Sequence, residues 1–131
     1  MGIFLKEINL KGKTALVTGA TKGIGRGTAI ALAQAGANII AVGRNQIELN
    51  SLGKIIKKLK VKYISFNCDV NNYNKIKLFI SNLKTLDILV NNAGTNIPEP
   101  FLKVKKNSLE TILDVNTKSV FNIAQLCANK I

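Results

Sequence analysis

Three glycines near the start of the chain are spaced as in a turn that binds phosphate. Residues 18–25 read Thr-Gly-Ala-Thr-Lys-Gly-Ile-Gly and lie between a predicted strand and a predicted helix. At such a junction the backbone N–H groups and the helix dipole attract phosphate, and glycine lets it approach the backbone closely. A tight turn without a ligand is the alternative. The residues of this turn that we predict to bind a nucleotide are Gly19, Thr21, Lys22, Gly23, Ile24 and Gly25.

A basic residue stands where a dinucleotide site selective for NAD would carry a carboxylate. Such a site places Asp or Glu against the ribose 2′-hydroxyl about 20 residues beyond the glycines. This sequence has Gly43, Arg44 and Asn45 there. A guanidinium suits a 2′-phosphate, and Lys22 adds a second positive charge. The alternative is a solvated Arg44 at a helix start, where the dipole mildly disfavours a cation. We predict that Arg44 and Asn45 contact the cofactor and that it is NADP rather than NAD.

Short apolar runs alternate with amphipathic segments along the chain and predict the elements that position these residues. Four strands are expected at residues 13–18, 38–42, 61–66 and 86–90. Helices are expected at residues 24–35, after Asn45, after Asn71 or Asn72, and from Asn107 to the end with a bend near Asn116. Strands that alternate with helices form parallel sheets with ligands at the carboxyl ends. We predict one α/β domain over residues 1–131, a Rossmann-type three-layer α/β/α fold with a parallel sheet.

Further polar segments follow the third and fourth predicted strands. They are Cys68-Asp69-Val70 and Asn91-Asn92-Ala93-Gly94, and Asn116 comes later in the last predicted helix. Together with the glycine spacing T-G-x-x-x-G-x-G, these segments make the chain resemble the short-chain dehydrogenase/reductase family over essentially its whole length. A set of unrelated turns and helix caps is the alternative.

The resemblance implies roles for these residues. Asp69 and Val70 would lie beside the adenine ring, where a buried Asp69 carboxylate accepts a hydrogen bond from the adenine amino group. Asn92, Ala93 and Gly94 would contribute to the cofactor site, and the paired asparagines would satisfy backbone groups where the fourth strand ends. Asn116 falls at the position of the active-site asparagine of the family.

The resemblance also implies a reaction, in which hydride passes between a nicotinamide and a carbonyl or secondary alcohol. A tyrosine acts as acid or base, a lysine four residues later lowers its pKa, and a serine and an asparagine complete the set. Only Asn116 of this set is present, so we expect the fold to be truncated after the fourth strand and its following helix. This chain alone is then expected to be inactive, and a non-catalytic nucleotide-binding or interaction module is the alternative. Tyr73 and Lys77 match the tyrosine–lysine spacing, but they precede the Asn-Asn-Ala-Gly segment and should face away from the cofactor.

The loop at residues 95–101 would line the substrate side in a complete member of the family. The sequence of this loop resembles that of members that act on sugar acids such as gluconate, or that are named 3-oxoacyl-[acyl-carrier-protein] reductases. We therefore predict a small-molecule carbonyl or alcohol substrate.

Composition limits the other partners. Nineteen basic and seven acidic residues give a net charge of +12, yet the lysines are dispersed and no aromatic residues interleave with them, so we predict no nucleic acid partner. The sequence has no membrane-length apolar run, and residues 1–9 have no signal-peptide core, which predicts a cytoplasmic protein. Without histidine and with two isolated cysteines, Cys68 and Cys127, we predict buried thiols and no metal site. Exposed apolar helix surface allows a homo-oligomer.

Overall fold

The computed structural model describes residues 7–131, so most of the N-terminal segment considered above, residues 1–6, lies outside the described residues. Four strands alternate with five helices in this part of the chain. In order they are β1 (Thr14–Thr18), α1 (Gly23–Gln34), β2 (Asn38–Gly43), α2 (Gln46–Lys57), β3 (Tyr63–Asn67), α3 (Tyr73–Ser81), β4 (Ile88–Val90), α4 (Lys106–Leu113) and α5 (Ser119–Ala128). A 3-10 turn at Phe101–Lys103 precedes α4, and a π-helical turn at Asp114–Lys118 joins α4 to α5.

The four strands form one parallel sheet in the order β3-β2-β1-β4. Leu16 in the central strand β1 lies opposite Ile40 of β2 and Leu89 of β4. β1 has a neighbouring strand on each side and helices over both of its faces, and all five of its residues are buried. The sheet order places the carboxyl ends of β1 and β4 side by side. The glycine turn, which follows β1, therefore meets the Asn-Asn-Ala-Gly segment, which follows β4.

Helices cover both faces of the sheet. One core combines residues of β1 and β2 with α1 and α2, namely Ala15, Val17, Ile39, Ala41, Ala29, Ala33, Leu49, Leu52 and Ile56. The other combines the opposite faces of the same strands with α3 and α5, namely Leu16, Ile40, Val42, Ile76, Ile80, Ile123 and Cys127. Alternate residues of each buried strand point to opposite faces, so one strand serves both cores. The predicted three-layer α/β/α fold of Rossmann type is confirmed.

Asparagine side chains begin two of the helices. The Asn45 side chain accepts a hydrogen bond from the backbone N–H of Glu48 at 3.1 Å, and the Asn72 side chain accepts one from that of Lys75 at 3.2 Å. Each satisfies one of the N–H groups that a first helical turn leaves without a partner. The predicted helix start at Asn45 is confirmed, and α3 begins after the second of the two asparagines proposed for it.

Both cysteines are free and buried, as predicted. The Cys127 side chain is 0% exposed in the core between α5 and the sheet, and burial raises the pKa of its thiol to about 11 from a usual value of 9.0. The unfolded chain therefore loses this proton at lower pH than the folded chain does. The protonated Cys127 thiol therefore contributes to the stability of the fold in full below pH 9, and this contribution is lost as pH rises toward 11.

We expect the Cys127→Ala variant to lose less stability in alkali than the natural chain does. Between pH 8 and pH 10 the thiol alone should lower the free energy of unfolding by about 1 kcal/mol, a contribution that the variant lacks. Urea unfolding of both proteins at the two pH values measures this change in the free energy of unfolding. The comparison uses the change with pH, because the cavity left by the substitution lowers stability equally at both values. Identical pH dependence in the two proteins would contradict the buried, neutral thiol.

Candidate functional site

A groove of about 490 Å³ runs across the carboxyl ends of the strands. Its lining contains Gly19, Thr21, Lys22, Arg44, Asn45, Asp69, Val70, Asn92, Ala93 and Gly94 from the sequence-predicted set. It also contains residues outside that set: Val42, Gly43, Glu48, Cys68, Asn71, Thr95, Thr111 and Val115. Gly43, Cys68 and Thr95 belong to segments that the sequence already indicated, whereas Thr111 and Val115 do not. The structure therefore brings together segments that follow all four strands, as expected for a ligand site in a parallel α/β sheet.

The glycine turn connects β1 to α1 and is pressed against the helix. Gly19 has φ +62°, in the left-handed region that favours glycine. At Gly25 a Cβ would lie 2.1 Å from the Gly19 carbonyl oxygen and 2.4 Å from Asn92 Nδ2. Gly25 is buried behind the turn and does not line the groove. It acts by letting the turn and helix meet.

The N-terminus of α1 is the uncapped one among the first three helices. Its N-cap residue, Lys22, provides no side-chain hydrogen bond, and its first turn holds no acidic residue. The backbone N–H groups of this turn are therefore available to oxygens of a ligand in the adjoining groove. Gly23 and Ile24 begin the helix outside the groove lining, and the Ile24 side chain is 82% exposed. An open helix start behind a glycine turn fits a pyrophosphate.

Thr18 joins the glycine turn to the loop after β4. Its side chain is 0% exposed, and its Oγ1 accepts hydrogen bonds from the backbone N–H groups of Asn92 and Ala93, both at 3.0 Å. The Asn92 Nδ2 returns hydrogen bonds to the carbonyl oxygens of Thr18, at 3.3 Å, and Gly19, at 3.2 Å. Asn92 thus holds the turn with its side chain while lining the groove. Sequence reasoning quoted Thr18 as the first residue of the glycine motif but missed this anchoring role, whose signal was a polar residue at the end of a buried strand.

The neighbouring Asn91 holds the other side of the same loop. Its Nδ2 donates a hydrogen bond at 2.8 Å to the carbonyl oxygen of Val120, in the first turn of α5. The paired asparagines satisfy backbone groups as expected, but these groups belong to the end of β1, to the glycine turn and to α5 and not to the end of β4. The loop after β4 is fixed to β1 through Asn92 and to α5 through Asn91.

Two cations line the groove. Arg44 follows β2 and Lys22 lies in the glycine turn after β1, and both side chains are exposed. Arg26 is turned elsewhere, since its guanidinium donates to the Thr21 carbonyl at 3.3 Å and to Ser51 Oγ at 3.2 Å. Gly43 allows close packing here, because a Cβ on it would lie 2.4 Å from Thr21 Cγ2.

The prediction of a buried Asp69 carboxylate is wrong. Asp69 follows the end of β3 at the open mouth of the groove and is exposed. Its Oδ1 accepts a hydrogen bond at 2.9 Å from the Asn71 backbone N–H, which fixes the turn before α3. The carboxylate lines the groove from its rim, with Val70 and Asn71 beside it.

Asn116 lies in the π-helical turn, at the predicted bend of the last helix. Its Oδ1 accepts a hydrogen bond from the Thr95 N–H, and its Nδ2 donates one to the Thr95 carbonyl, both at 2.8 Å. The side chain itself is outside the groove lining, while Thr95 and the adjacent Val115 are part of it. A π-helical turn widens a helix locally and is frequent at functional sites. Here it presents Asn116 to the loop that follows β4.

The tyrosine–lysine pair of α3 lies away from the groove, as predicted. Tyr73 is in the first turn of α3 and lines a neighbouring depression of about 170 Å³, which also contains Asp114 and Lys118 and shares Val70 and Asn71 with the groove. The Lys77 Nζ lies 6.0 Å from the centre of the Tyr73 ring. Neither residue lines the groove.

Residues 7–131 provide two observations on possible partners. No group of three or more histidine, cysteine, aspartate or glutamate side chains in these residues is placed to hold a metal ion. Of the helices that the structure describes, none combines the length and the apolar character required to cross a membrane.

Comparison with known proteins agrees with this geometry. The chain is 36% identical over 122 residues to the L-xylulose reductase of Mesocricetus auratus, a match that covers 93% of this chain and 48% of that protein. It is 36% identical over 126 residues to the 2-dehydro-3-deoxy-D-gluconate 5-dehydrogenase of Pseudoalteromonas atlantica, covering 92% and 50%. Carveol dehydrogenase from Mycobacterium avium, crystallised in complex with NAD, has a TM-score of 0.87 at 26% identity, covering 93% and 50%.

The chain spans about half the length of the curated relatives that it matches. A family model described as short chain dehydrogenase matches residues 13–131. This match takes in every strand and helix of the fold, the glycine turn and the loop after β4. The chain therefore belongs to the short-chain dehydrogenase/reductase family.

Proposed function

We propose that this chain holds NADP(H) for an oxidoreductase that acts on a carbonyl or secondary alcohol of a small molecule. The observation that carries the proposal is the uncapped start of α1, which opens beside a groove lined by Arg44 and Lys22. When bound, the nicotinamide supplies the hydride donor or acceptor. The chain's own residues bind and orient it.

Each part of the groove has a role in this proposal. The backbone N–H groups of the glycine turn and of the start of α1 bind the pyrophosphate. Asp69 and Val70, after β3, border the adenine ring. Ala93 and Gly94, after β4, lie along the opposite half of the cofactor, with Asn116 behind them. The sheet order β3-β2-β1-β4 supports this direction, because it separates the adenine end from the β4 end.

The choice of NADP over NAD rests on two cations that line the groove, Arg44 after β2 and Lys22 in the glycine turn after β1. Charge-assisted hydrogen bonds from such cations to a 2′-phosphate are stronger than neutral ones. Asn45, the other residue at the end of β2, uses its side-chain oxygen to cap α2. The carboxylate of Glu48 would oppose a phosphate, and it also lies on the groove. Discrimination between the two cofactors is therefore a direct test of Arg44.

We expect the purified 131-residue chain to bind NADPH about tenfold more tightly than NADH, because Arg44 gains a charge-assisted contact with the 2′-phosphate alone. The Arg44→Gln variant should remove this preference and leave NADH binding unchanged. Fluorescence titration gives the affinities, and the rise in melting temperature with each cofactor provides a second readout. Lys54→Gln is the matched control, since it removes the same charge from an exposed position of α2 outside the groove. Equal loss of NADPH affinity in both variants would contradict a specific role for Arg44.

The substrate side of the proposal is drawn from the loop after β4 and from the family. L-xylulose reductase and 2-dehydro-3-deoxy-D-gluconate 5-dehydrogenase are named for carbohydrate substrates. The resemblance of residues 95–101 to members acting on sugar acids points the same way, so we propose a polyhydroxylated carbonyl compound or its alcohol. The tyrosine, lysine and serine of the family reaction have no counterpart on the groove described here. We therefore expect the 131-residue chain to bind cofactor without measurable turnover, as the alternative of a nucleotide-binding module would also require.

The remaining assignments are proposals of the same kind. Two buried free thiols support a reducing compartment, and hence the cytoplasm. Leu109 and Leu113 of α4 and Phe121 of α5 are each at least half exposed, which supports self-association through these helices.

A further inference from the structure

The loop between β4 and α4 is tied to the last helices at two points. At its start, the backbone of Thr95 exchanges two hydrogen bonds with the Asn116 side chain. Further on, the Glu99 carboxylate makes two more. Its Oε2 accepts from the Lys105 backbone N–H at 2.8 Å, and its Oε1 accepts from Ser108 Oγ at 2.7 Å.

Glu99 supplies the cap that α4 lacks in its own sequence. The N-cap residue of this helix is Lys105, which provides no side-chain hydrogen bond, and the first turn holds no acidic residue. The Glu99 carboxylate, which comes from the preceding loop, lies at the N-terminus of α4. The helix dipole favours negative charge at this end of a helix. The hydrogen bonds from Ser108 and from the Lys105 backbone lower the pKa of Glu99, so the carboxylate is charged at neutral pH.

The face of α4 that Glu99 holds is the face that reaches the groove. Ser108 and Thr111 are three residues apart and lie on one side of α4, and Val115 follows in the π-helical turn. Ser108 is buried under Glu99, while Thr111 and Val115 line the groove together with Thr95. The far wall of the groove is therefore made of Thr95, Thr111 and Val115, and both hydrogen-bonded anchors fix it.

This wall stands at the end of the groove opposite Arg44. Arg44 follows β2, whereas Thr95 follows β4, and β1 with its glycine turn lies between these two strands. If the 2′-phosphate is at Arg44 and the pyrophosphate is at the glycine turn, the nicotinamide end of the cofactor meets the far wall. A shift of the far wall should then weaken binding of the nicotinamide half of the cofactor and leave binding of the adenine half unchanged.

We propose that Glu99 is a positioning residue, which holds the far wall of Thr95, Thr111 and Val115 against the nicotinamide end of the cofactor through its hydrogen bonds to Lys105 and Ser108. This inference rests on the proposed function. Glu99 does not line the groove, so it acts through the loop and α4 and not by touching the ligand.

The test compares two ligands on the 131-residue chain. NADPH fills both ends of the groove, whereas adenosine 2′,5′-bisphosphate fills the adenine end alone. In the Glu99→Ala variant, NADPH affinity should fall about tenfold with no change for the bisphosphate, since two hydrogen bonds to a charged acceptor are lost. Glu99→Gln should restore most of the affinity, because the amide keeps an acceptor for the Lys105 N–H and a donor for Ser108. Glu110→Ala, which removes an exposed carboxylate from the same helix, should change neither affinity.

The outcomes separate the inference from the proposed function. Equal losses for both ligands in Glu99→Ala, unchanged NADPH affinity, or no rescue by Glu99→Gln would each overturn the positioning role. If the unaltered chain binds neither ligand, the proposed function fails before the variants are compared. Where Glu99→Ala does not fold, Ser108→Ala removes one of the two hydrogen bonds and should produce a smaller loss with the same selectivity for NADPH.

Discussion

Replacing Gly25 by alanine should abolish NADPH binding and lower the free energy of unfolding by about 2–4 kcal/mol. The added Cβ would lie 2.1 Å from the Gly19 carbonyl oxygen and 2.4 Å from Asn92 Nδ2, so the glycine turn must move away from α1. This oxygen belongs to the backbone of the turn itself, and no rotation of a side chain relieves the contact. The displaced turn no longer presents its N–H groups to phosphate.

The neighbouring Gly27 provides a matched control for this prediction. It lies in the same helix, is exposed, and would place a Cβ with nothing within 4 Å. Because alanine is the better helix former, Gly27→Ala should raise the free energy of unfolding by about 0.5–1 kcal/mol and leave NADPH binding unchanged. Urea unfolding of both variants measures the change in the free energy of unfolding, and NADPH titration measures the change in affinity. A Gly25→Ala chain that binds NADPH with the natural affinity would show that the turn tolerates separation from α1.

The contrast between these two glycines shows what the sequence reveals about the site. Both lie on the same short helix and are the same residue type, and the motif spacing singles out Gly25, where the structure leaves no room for a Cβ. The strands were predicted to within about two residues, because each is a short apolar run bounded by polar residues, and the sheet makes those runs its core. The start of α2 at Asn45 was also predicted, since a capping residue acts on a backbone group three positions away.

Features that depend on distant partners were not predicted in the same way. Asp69 was expected to be buried, but its exposure follows from its place at the rim, which no local pattern records. The bend at Asn116 was predicted, whereas its form as a π-helical turn clamped to Thr95 depends on a contact 21 residues away along the chain. Glu99 shows the same limitation, since a carboxylate that caps a helix from a loop has no sequence signature of its own.

Thr18 is the residue for which this limitation has the largest consequence. Its hydroxyl accepts hydrogen bonds from backbone groups 74 and 75 positions away, and together with Asn92 it is the direct link between the glycine turn and the loop after β4. In the sequence it is the first residue of the glycine motif, at the end of a strand that another threonine, Thr14, begins. Nothing in the motif shows that its hydroxyl binds the loop after β4, because that contact depends on what the fold places beside it.

The Thr18→Val substitution should therefore lower the free energy of unfolding by about 1–3 kcal/mol while preserving side-chain shape. It leaves the half-buried Ala93 N–H without its acceptor, and the Asn92 N–H keeps only the Val90 carbonyl oxygen at 3.1 Å. We also expect NADPH affinity to fall by about tenfold or more, since the loop that carries Ala93 and Gly94 loses its anchor on β1. Thr14→Val is the control on the same strand. The Thr14 hydroxyl has a single side-chain partner, Thr85 Oγ1 at 3.4 Å, and its loss should cost less than about 1 kcal/mol with no effect on NADPH.

Thr18→Ser separates the hydrogen bonds from the packing of the methyl group. The serine hydroxyl can still accept from the N–H groups of Asn92 and Ala93, so this variant should keep NADPH affinity near that of the natural chain. It should lose only the stability that the buried methyl provides, about 1 kcal/mol. Urea unfolding and cofactor titration of the three variants resolve the two contributions. If Thr18→Val and Thr14→Val proved equally mild, the Asn92 side chain alone would hold the glycine turn to the loop, and the buried hydroxyl would be dispensable.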